Sequence, residues 1–130
     1  PAEQTAREVL GLFDKLAQMG RDFDDAVLGY YAEGAVIHMT GLDGVGNALM
    51  VNMSLSDLIP LYHKGKPTAQ EVGDISSYSN VRARIHGERV IVRATRYSHW
   101  KQYFSPYAVA FQRNADGDWK IVEEWVEVRR

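Results

Sequence analysis

The chain contains no cysteine, and this absence excludes several kinds of site. Disulfide bonds, thiolate metal ligands and thiol nucleophiles all need a cysteine side chain. Small secreted domains usually rely on disulfides to compensate for a small core, so a protein of that kind is not expected. Any chemistry that the protein performs must use oxygen and nitrogen groups.

Long apolar runs are also missing. No stretch approaches the roughly 20 apolar residues that span a bilayer, and residues 1–8 are polar and partly acidic, unlike a signal peptide. We therefore expect a cytoplasmic protein with no membrane partner. The formal net charge of -2 argues against a nucleic-acid partner, because such a surface needs clustered Lys and Arg.

Motifs for metal and nucleotide cofactors are absent as well. The four histidines lack the spacing of ligands on a helix, and no paired carboxylate motif accompanies them. Gly41, Gly44 and Gly46 have neither the spacing nor the following Lys of a phosphate-binding loop. The sequence thus predicts no metal site and no cofactor.

The second half of the chain predicts an antiparallel sheet. Four strands are expected, at residues 75–86, 88–100, 103–113 and 118–129. The last two flank an Asn/Asp/Gly cluster in which Gly117 supplies the positive φ of a tight hairpin turn. Because helices precede these strands in a chain of 130 residues, we expect one domain, residues 1–130, of the α+β class, with helices on one face of a curved sheet.

The first half of the chain predicts helices. Residues 5–19 carry apolar side chains at helical spacing, with Thr5 and Glu8 as a capping box and Gly20 as the end. An aspartate at 22, 24 or 25 then caps a second helix that carries Tyr30 and Tyr31.

A strand at residues 35–39 follows, and a glycine-rich loop comes after it. A third helix is expected from Asn47, with a further short one from Ser56 that breaks at residues 64–67. Asp43 lies between glycines of the loop and is interpreted as a turn residue. His38, in the strand, is interpreted as a structural histidine.

Alternation assigns faces in the strand at residues 88–100. Val90, Val92 and Ala94 share one side, and a mostly polar set shares the other: Ile91, Arg93, Thr95, Tyr97 and His99. Both faces of the sheet are partly apolar, so a second subunit is expected to cover the outer face. The candidate contacts of this homodimer are Val90, Val92, Ala94 and Trp125.

Three segments near the start of the chain resemble the opening of ketosteroid isomerase-type proteins. They run Thr-Ala-Arg-Glu-Val-Leu-Gly-Leu from Thr5, Phe-Asp-Asp-Ala-Val from Phe23, and Tyr-Ala-Glu-Gly-Ala-Val from Tyr31. The ending, Asp-Gly-Asp-Trp-Lys-Ile-Val from Asp116, is similar to the closing hairpin of the nuclear transport factor 2-like superfamily, which also includes SnoaL-like cyclases. The resemblance covers most of the chain apart from residues 47–74.

This resemblance implies a cone of three helices on a strongly bent, mostly antiparallel sheet, with a deep pocket and a dimer contact through the outer sheet face. The isomerase's own catalytic residues are missing. Its general base aligns near Met39, its oxyanion-hole tyrosine near Leu16 and its hydrogen-bonding aspartic acid near Val109. None of these side chains can exchange a proton, so steroid isomerisation by that mechanism is disfavoured.

The face assignment suggests a different set of site residues. His99 or Glu124 would act as the base, and Tyr97 or Arg93 would stabilise developing negative charge. Six further residues are predicted to contact the ligand: Tyr31, Met39, Thr95, Tyr107, Val109 and Phe111. An error of one residue in the sheet register would instead place members of this set on the surface or at an interface.

Three functions remain open on the sequence alone. The first is a cofactor-independent isomerase, cyclase or lyase that works by acid–base chemistry on a small, partly apolar organic molecule. The second is a module that binds such a molecule without reacting with it. The third is a dimeric assembly protein that uses the outer sheet face.

Overall fold

A computed structural model describes residues 1–129. The first helix, α1 (Ala2–Arg21), buries Val9, Phe13 and Leu16 on one side. The helix in this region is confirmed, but the predicted capping box is wrong. The chain is already helical before Thr5, whose N–H donates to the carbonyl of Pro1 within the first turn.

The predicted end of α1 at Gly20 is also wrong. The helix continues to Arg21, and its C-cap is Asp22 in a right-handed conformation. Phe23 then takes the positive φ of 54° that reverses the chain. The expected second helix is a six-residue 3₁₀ helix, Asp25–Tyr30, and the side chain of Asp24 caps it by accepting from Ala26 N–H.

The next segment differs from the prediction. A long strand, β1 (Tyr31–Leu42), pairs antiparallel with β2 (Ala48–Ser54), where a helix was expected from Asn47. Asp43 forms the turn between them, as predicted, because its Oδ1 accepts from Val45 and Asn47 N–H at 2.9 Å. The hairpin partner overrides the weak helical pattern, since pairing with β1 supplies ladder hydrogen bonds along one edge of β2.

A second long helix, α2 (Leu55–Val72), spans the predicted break at residues 64–67, so that prediction is wrong. Ser54 and Asp57 form a capping box at its start, and Gly73 ends it with a φ of 69°. The helix contains Pro60 and Pro67, each of which removes one N–H from its ladder. α2 has no fully buried residue, so it lies over the sheet as a loosely packed cover.

Four strands complete the chain and confirm the predicted set. They are β3 (Ser76–His86), β4 (Arg89–Ser98), β5 (Tyr103–Arg113) and β6 (Trp119–Arg129). The sheet has the order β2-β1-β6-β5-β4-β3, and among residues 1–129 only the β1–β6 pair is parallel. Gly117 has a φ of 83° in the β5–β6 turn, as predicted.

The core lies between α1 and one face of the sheet, which we call the inner face. The residues that pack there from the sheet are Val90, Val92, Ala94, Val109, Phe111 and Ile121. Val90, Val92 and Ala94 were predicted as dimer contacts on the outer face, and that prediction is wrong. They are at most 5% exposed and belong to the same cluster as Val9 and Phe13 of α1.

A bulge in β6 adjusts the face assignment near its start. Ala110 pairs with Glu123 and Phe111 pairs with Ile121, which leaves Val122 as the extra residue. Ile121 therefore shares the inner face with Glu124, although simple alternation separates them. Trp125 lies on the outer face, as predicted.

Candidate functional site

A cavity of about 250 Å³ lies between the inner face of the sheet and the helices. Its apolar wall comes from both layers and includes Phe13, Leu16, Val27, Leu58, Ile75, Val109, Phe111 and Ile121. Its polar wall consists of Arg21, Tyr31, Tyr62, Asp74, Ser76, Tyr78, Tyr107 and Glu124. An apolar cavity with a few convergent polar groups is the usual form of a small-molecule site.

Glu124 is the central polar group of this cavity. Tyr31 donates its hydroxyl proton to Oε1 of Glu124 at 2.6 Å, and Tyr107 donates to Oε2 in a short hydrogen bond. Glu124 pairs with Ile37 of β1 on one side and with Val109 of β5 on the other. Tyr107 lies two residues from Val109 and therefore on the same face, and Tyr31 is the first residue of β1. Three different strands therefore supply the carboxylate and its two phenols.

The environment changes the acidity of these groups. Burial raises the pKa of Glu124 above its ordinary value, and the hydrogen bonds from Tyr107 and Tyr31 only partly oppose this effect. Burial and the Glu124 charge raise the pKa of both tyrosines well above the ordinary value. The tyrosines therefore remain proton donors, while Glu124 is brought closer to the range in which it can exchange a proton near neutral pH.

A cluster of aromatic rings forms the wall beside Glu124. The ring of Tyr78 lies 5.0 Å from that of Tyr107 and 5.2 Å from that of Phe13, measured between centroids. Burial raises the pKa of Tyr78 to about 12. This wall offers flat apolar surface to a ligand and a third phenol that stays protonated.

Helix α2 covers one side of the cavity. Tyr62 of α2 lines the cavity, and an ion pair between Lys66 Nζ and Asp25 Oδ1, 2.6 Å apart, holds α2 against the 3₁₀ helix. Burial, with the nearby Asp25 charge, raises the pKa of Tyr62. The Lys66–Asp25 ion pair thus connects α2 to the 3₁₀ helix at the surface.

The predicted catalytic set does not converge on one cavity. Glu124 lines the cavity, whereas Arg93, Tyr97 and His99 lie on the outer face of the sheet. Ala94 pairs with Tyr107 across the β4–β5 ladder, so the inner residues of β4 are the even-numbered ones. The prediction that all four residues meet is therefore wrong, because the register places the odd-numbered ones on the other face.

The outer-face residues have partners of their own. Tyr97 packs against the rings of His99 and Phe104, with centroids 5.0 and 4.7 Å away. His99 Nε2 lies 2.9 Å from Ser77 Oγ. Arg93 lines a shallow groove of about 400 Å³ on this face.

The predicted ligand contacts divide in the same way. Tyr31, Tyr107, Val109 and Phe111 line the cavity. Thr95 lies on the outer face, opposite Pro106. Met39 lies on the inner face opposite Val126, beyond the residues that line the cavity.

The sequence analysis missed several cavity residues, among them Tyr62, Ser76 and Tyr78. Tyr78 is the sole Tyr, Phe or Trp of the strand predicted at residues 75–86, and this isolated aromatic could have marked it. Nothing in the sequence could have identified Tyr62, because α2 was expected to break close to it. Its position depends on a helix that continues through Pro67.

A separate polar cluster lies on the outer face around His38. His38 Nδ1 lies 2.7 Å from Asn52 Oδ1, its Nε2 lies 2.5 Å from Glu123 Oε2, and its ring stacks on Trp125. Arg89 Nη1 donates to the other oxygen of Glu123 at 2.7 Å. Both nitrogens of His38 have partners, as the interpretation of a structural histidine expects.

Two further properties bear on the class of site. Among residues 1–129, no group of three or more His, Asp or Glu side chains is arranged to hold a metal ion. The same part of the chain has no helix that is long and apolar enough to cross a membrane.

Comparison by sequence finds no relatives, since no family model and no curated protein matches the chain. Comparison by structure does. An NTF2-like protein of unknown function from Pseudomonas putida KT2440 superposes with a TM-score of 0.69 at 15% identity, over 95% of this chain and 86% of that one. ActVI-ORFA from Streptomyces coelicolor gives a TM-score of 0.64 at 11% identity, over 93% and 95% of the two chains.

The hub of the S. rosetta protein CaMKII superposes with a TM-score of 0.61 at 16% identity, over 92% of this chain and 93% of that one. These identities are low, so the comparisons establish the fold and leave the activity open. The protein therefore has the fold of the NTF2-like superfamily, as the sequence resemblance implied.

Proposed function

We propose that the protein binds a small, partly apolar organic molecule in the inner cavity and that Glu124 exchanges a proton with it. The observation that carries this proposal is the partly buried carboxylate of Glu124, which receives hydrogen bonds from Tyr31 and Tyr107 inside a largely apolar cavity. The volume of about 250 Å³ is slightly below the range of about 300–1,000 Å³ found for ligand pockets, which favours a small ligand.

The chemistry that suits this arrangement is proton transfer at a carbon atom next to a carbonyl group. Ionised Glu124 takes the proton, and the electron pair moves onto the carbonyl oxygen of the ligand. Tyr31 or Tyr107 can then turn its hydroxyl from the newly neutral Glu124 to that oxygen and stabilise its charge. Return of the proton to a different carbon atom would complete an isomerisation without a cofactor.

The test is exchange of carbon-bound hydrogen for deuterium in cyclohexanone, cyclohexenone and tetralone, followed by proton NMR in deuterated buffer. The wild-type protein should accelerate exchange in at least one of these ketones. Glu124→Gln should lose about 100-fold or more of that acceleration, because general acid–base catalysis is worth about 10²–10⁴-fold. Glu33→Gln, an exposed carboxylate on β1, is the matched control and should retain the wild-type rate.

Binding without reaction is the competing function of the same cavity. It is favoured by the fact that both oxygens of Glu124 already accept hydrogen bonds. In that case tetralone would stabilise the protein against heat, and neither the wild type nor Glu124→Gln would accelerate exchange. That result would remove the acid–base proposal and keep the binding proposal.

We also propose that the outer face of the sheet joins two copies of this chain. Phe104 is 63% exposed there and packs on Tyr97, so a large apolar surface is open to a partner. The outer groove is lined by Arg93 and Glu127, which carry opposite charges. In a two-fold contact, Arg93 of one copy can face Glu127 of the other, so the two surfaces are complementary in charge. One of the structural relatives is a hub, which supports assembly as a use of this fold.

Sedimentation velocity tests this assembly. The wild type should sediment as a dimer, and Phe104→Glu should shift it to the monomer because a charge would be buried in the contact. Val45→Glu is the matched control, since Val45 is 83% exposed in the β1–β2 turn. A wild type that sediments as a monomer at every concentration would contradict the proposal.

A further inference from the structure

Arg96 is a buried cation that has no ionic partner. It lies on the inner face of β4, and only 9% of it is exposed. Its Nε donates to Ser76 Oγ at 2.9 Å, and its Nη1 donates to Tyr103 Oη at 3.3 Å and to the backbone carbonyl of Glu127 at 3.2 Å. All three acceptors are neutral, and within residues 1–129 Arg96 makes no ion pair.

These hydrogen bonds use Nε and Nη1, and the guanidinium lies 5.7 Å from the centre of the Tyr103 ring, but no carboxylate pairs with its charge. Burying a charge is unfavourable unless an opposite charge lies in the same low-dielectric region. Packing by itself does not need this charge, since a long apolar side chain would fill the same space. The position therefore calls for a buried anion nearby.

Glu124 is a partly buried carboxylate on the same face of the sheet. The ladders place Arg96 opposite Tyr78 of β3 and Ser105 of β5, while Tyr107, two residues from Ser105, donates to Glu124. Ser76, which accepts from Arg96, lines the cavity together with Glu124. The guanidinium thus lies behind the part of the cavity wall that Ser76 forms.

We propose that Arg96 is a positioning residue that supplies the counter-charge for Glu124 from behind the cavity wall and keeps this carboxylate ionised while it is buried. It does not contact the ligand. This inference rests on the proposed function in that it takes Glu124 to be the reactive group. The arrangement would leave Glu124 able to accept a proton at neutral pH.

The electrostatics of the neighbouring groups agree with this role. Burial raises the pKa of Glu124, and the charge of Arg96 is among the effects that lower it. The same charge lowers the pKa of Tyr78 against the larger effect of burial. The other titratable groups that line the cavity around Glu124 are Tyr31 of β1, Tyr107 of β5, Arg21 of α1, Tyr62 of α2 and Asp74 of the α2–β3 loop.

The experiment is a carbon-13 NMR titration of the Glu124 carboxyl in the ligand-free protein. Arg96→Met removes the charge and fills the space, and it should shift the titration of Glu124 to higher pH. Arg96→Lys keeps the charge and should leave the titration close to that of the wild type. Ser76→Ala retains the arginine and removes only its Nε partner, so it should also leave the titration close to that of the wild type.

Two results would overturn the inference. One is an unchanged titration in Arg96→Met, which would show that the charge does not reach Glu124. The other is an equal upward shift in Arg96→Lys, which would show that packing and not charge controls the carboxylate. If Arg96→Met does not fold, Arg96→Gln decides, because it also removes the charge but can still donate to Ser76, and an unchanged titration in that variant also contradicts the proposal.

The titration needs no substrate, so it separates this inference from the proposed function. A shift in Arg96→Met together with no deuterium exchange in any ketone would keep the Arg96–Glu124 pair and remove the acid–base proposal. If exchange does occur, its dependence on pH provides a second readout. The acidic limb of the wild-type profile should then move to higher pH in Arg96→Met.

Discussion

The hydroxyl of Tyr31 donates to Oε1 of Glu124 over 2.6 Å, although the two residues are 93 positions apart in the chain. The bond joins the first residue of β1 to the middle of β6, the one parallel pair of the described sheet. It holds a phenol and a carboxylate together in a region from which most water is excluded. The acidity of Glu124 therefore depends on the folded state, and this can be measured.

Glu124→Gln should change how stability depends on pH. Burial raises the pKa of Glu124 above its ordinary value of 4.5, so the folded protein holds this proton more tightly than the unfolded chain does. The resulting stabilisation is complete below the unfolded-state pKa and is lost as the pH rises through the folded-state pKa. Urea unfolding between about pH 4 and about pH 8 should therefore favour Glu124→Gln over the wild type progressively as the pH rises.

The exposed carboxylate Glu33 provides the control for that series. Glu33→Gln should remain parallel to the wild type over the whole range. A difference between wild type and Glu124→Gln that does not vary with pH would show that the carboxyl titrates alike in the folded and unfolded states.

Val92 and Thr95 test the assignment of the two sheet faces. Val92→Asp should prevent stable folding, because an unpaired carboxylate would replace a fully buried side chain in the core. Thr95→Asp places the same charge on the outer face and should leave a folded protein. Circular dichroism and thermal unfolding of the two variants measure this, and a folded, cooperative Val92→Asp protein would contradict the face assignment.

Ser54 and Thr5 test where helix capping occurs. Ser54→Ala should cost about 1 kcal/mol of unfolding free energy, because the side chain of Ser54 accepts from Asp57 N–H at the start of α2. Thr5→Ala should be neutral or slightly stabilising, since Thr5 lies inside α1, where alanine has the better helix propensity. Urea unfolding measures the unfolding free energy of both variants. A greater loss of this free energy in Thr5→Ala than in Ser54→Ala would support the capping box predicted from the sequence.

His38→Gln should remove a stabilisation that depends on pH. Hydrogen bonds to Asn52 and Glu123 raise the pKa of His38 above its ordinary value of 6.5. The folded state therefore gains stability below the unfolded-state pKa and loses it as the pH rises through the higher folded-state value. Thermal unfolding from about pH 5 to about pH 9 should show this loss in the wild type and a flatter profile in His38→Gln.

The carboxylate partner of His38 supplies the comparison. Glu123→Gln retains the histidine and removes the ion pair with it. Glu123→Gln should therefore flatten the profile as His38→Gln does. A wild-type profile in Glu123→Gln would mean that the ion pair with Glu123 is not the cause.

The strands of the second half were predictable because local chemistry defines them. Alternating side chains mark each strand, and the Asn114–Asp118 turn closes on itself, with Asn114 Oδ1 accepting from Asp116 and Asp118 N–H. The region from Asn47 to Val72 was not predictable in this way. There a short apolar segment becomes β2 only because β1 pairs with it, and α2 continues through Pro60 and Pro67.

Half of the candidate site followed from the sequence. Glu124, Tyr31 and Tyr107 were predicted to line the cavity, and they do. Arg93, Tyr97 and His99 were predicted to line it as well, but they lie on the other face of the sheet. A strand pattern separates two sets of side chains but does not state which set faces the helices. The polar set of β4 resembled a pocket lining, and the apolar set is in fact the core.

The sequence by itself determined the class of the fold, the β5–β6 hairpin and the exclusion of thiol chemistry, because each of these depends on residue type and short-range spacing. The tertiary structure decided which face of each strand is buried, the bulge at Val122 and the meeting of Glu124 with two tyrosines. These features depend on how strands far apart in the chain align. Hydrogen bonding and burial across the whole sheet select that alignment, and no short segment contains it.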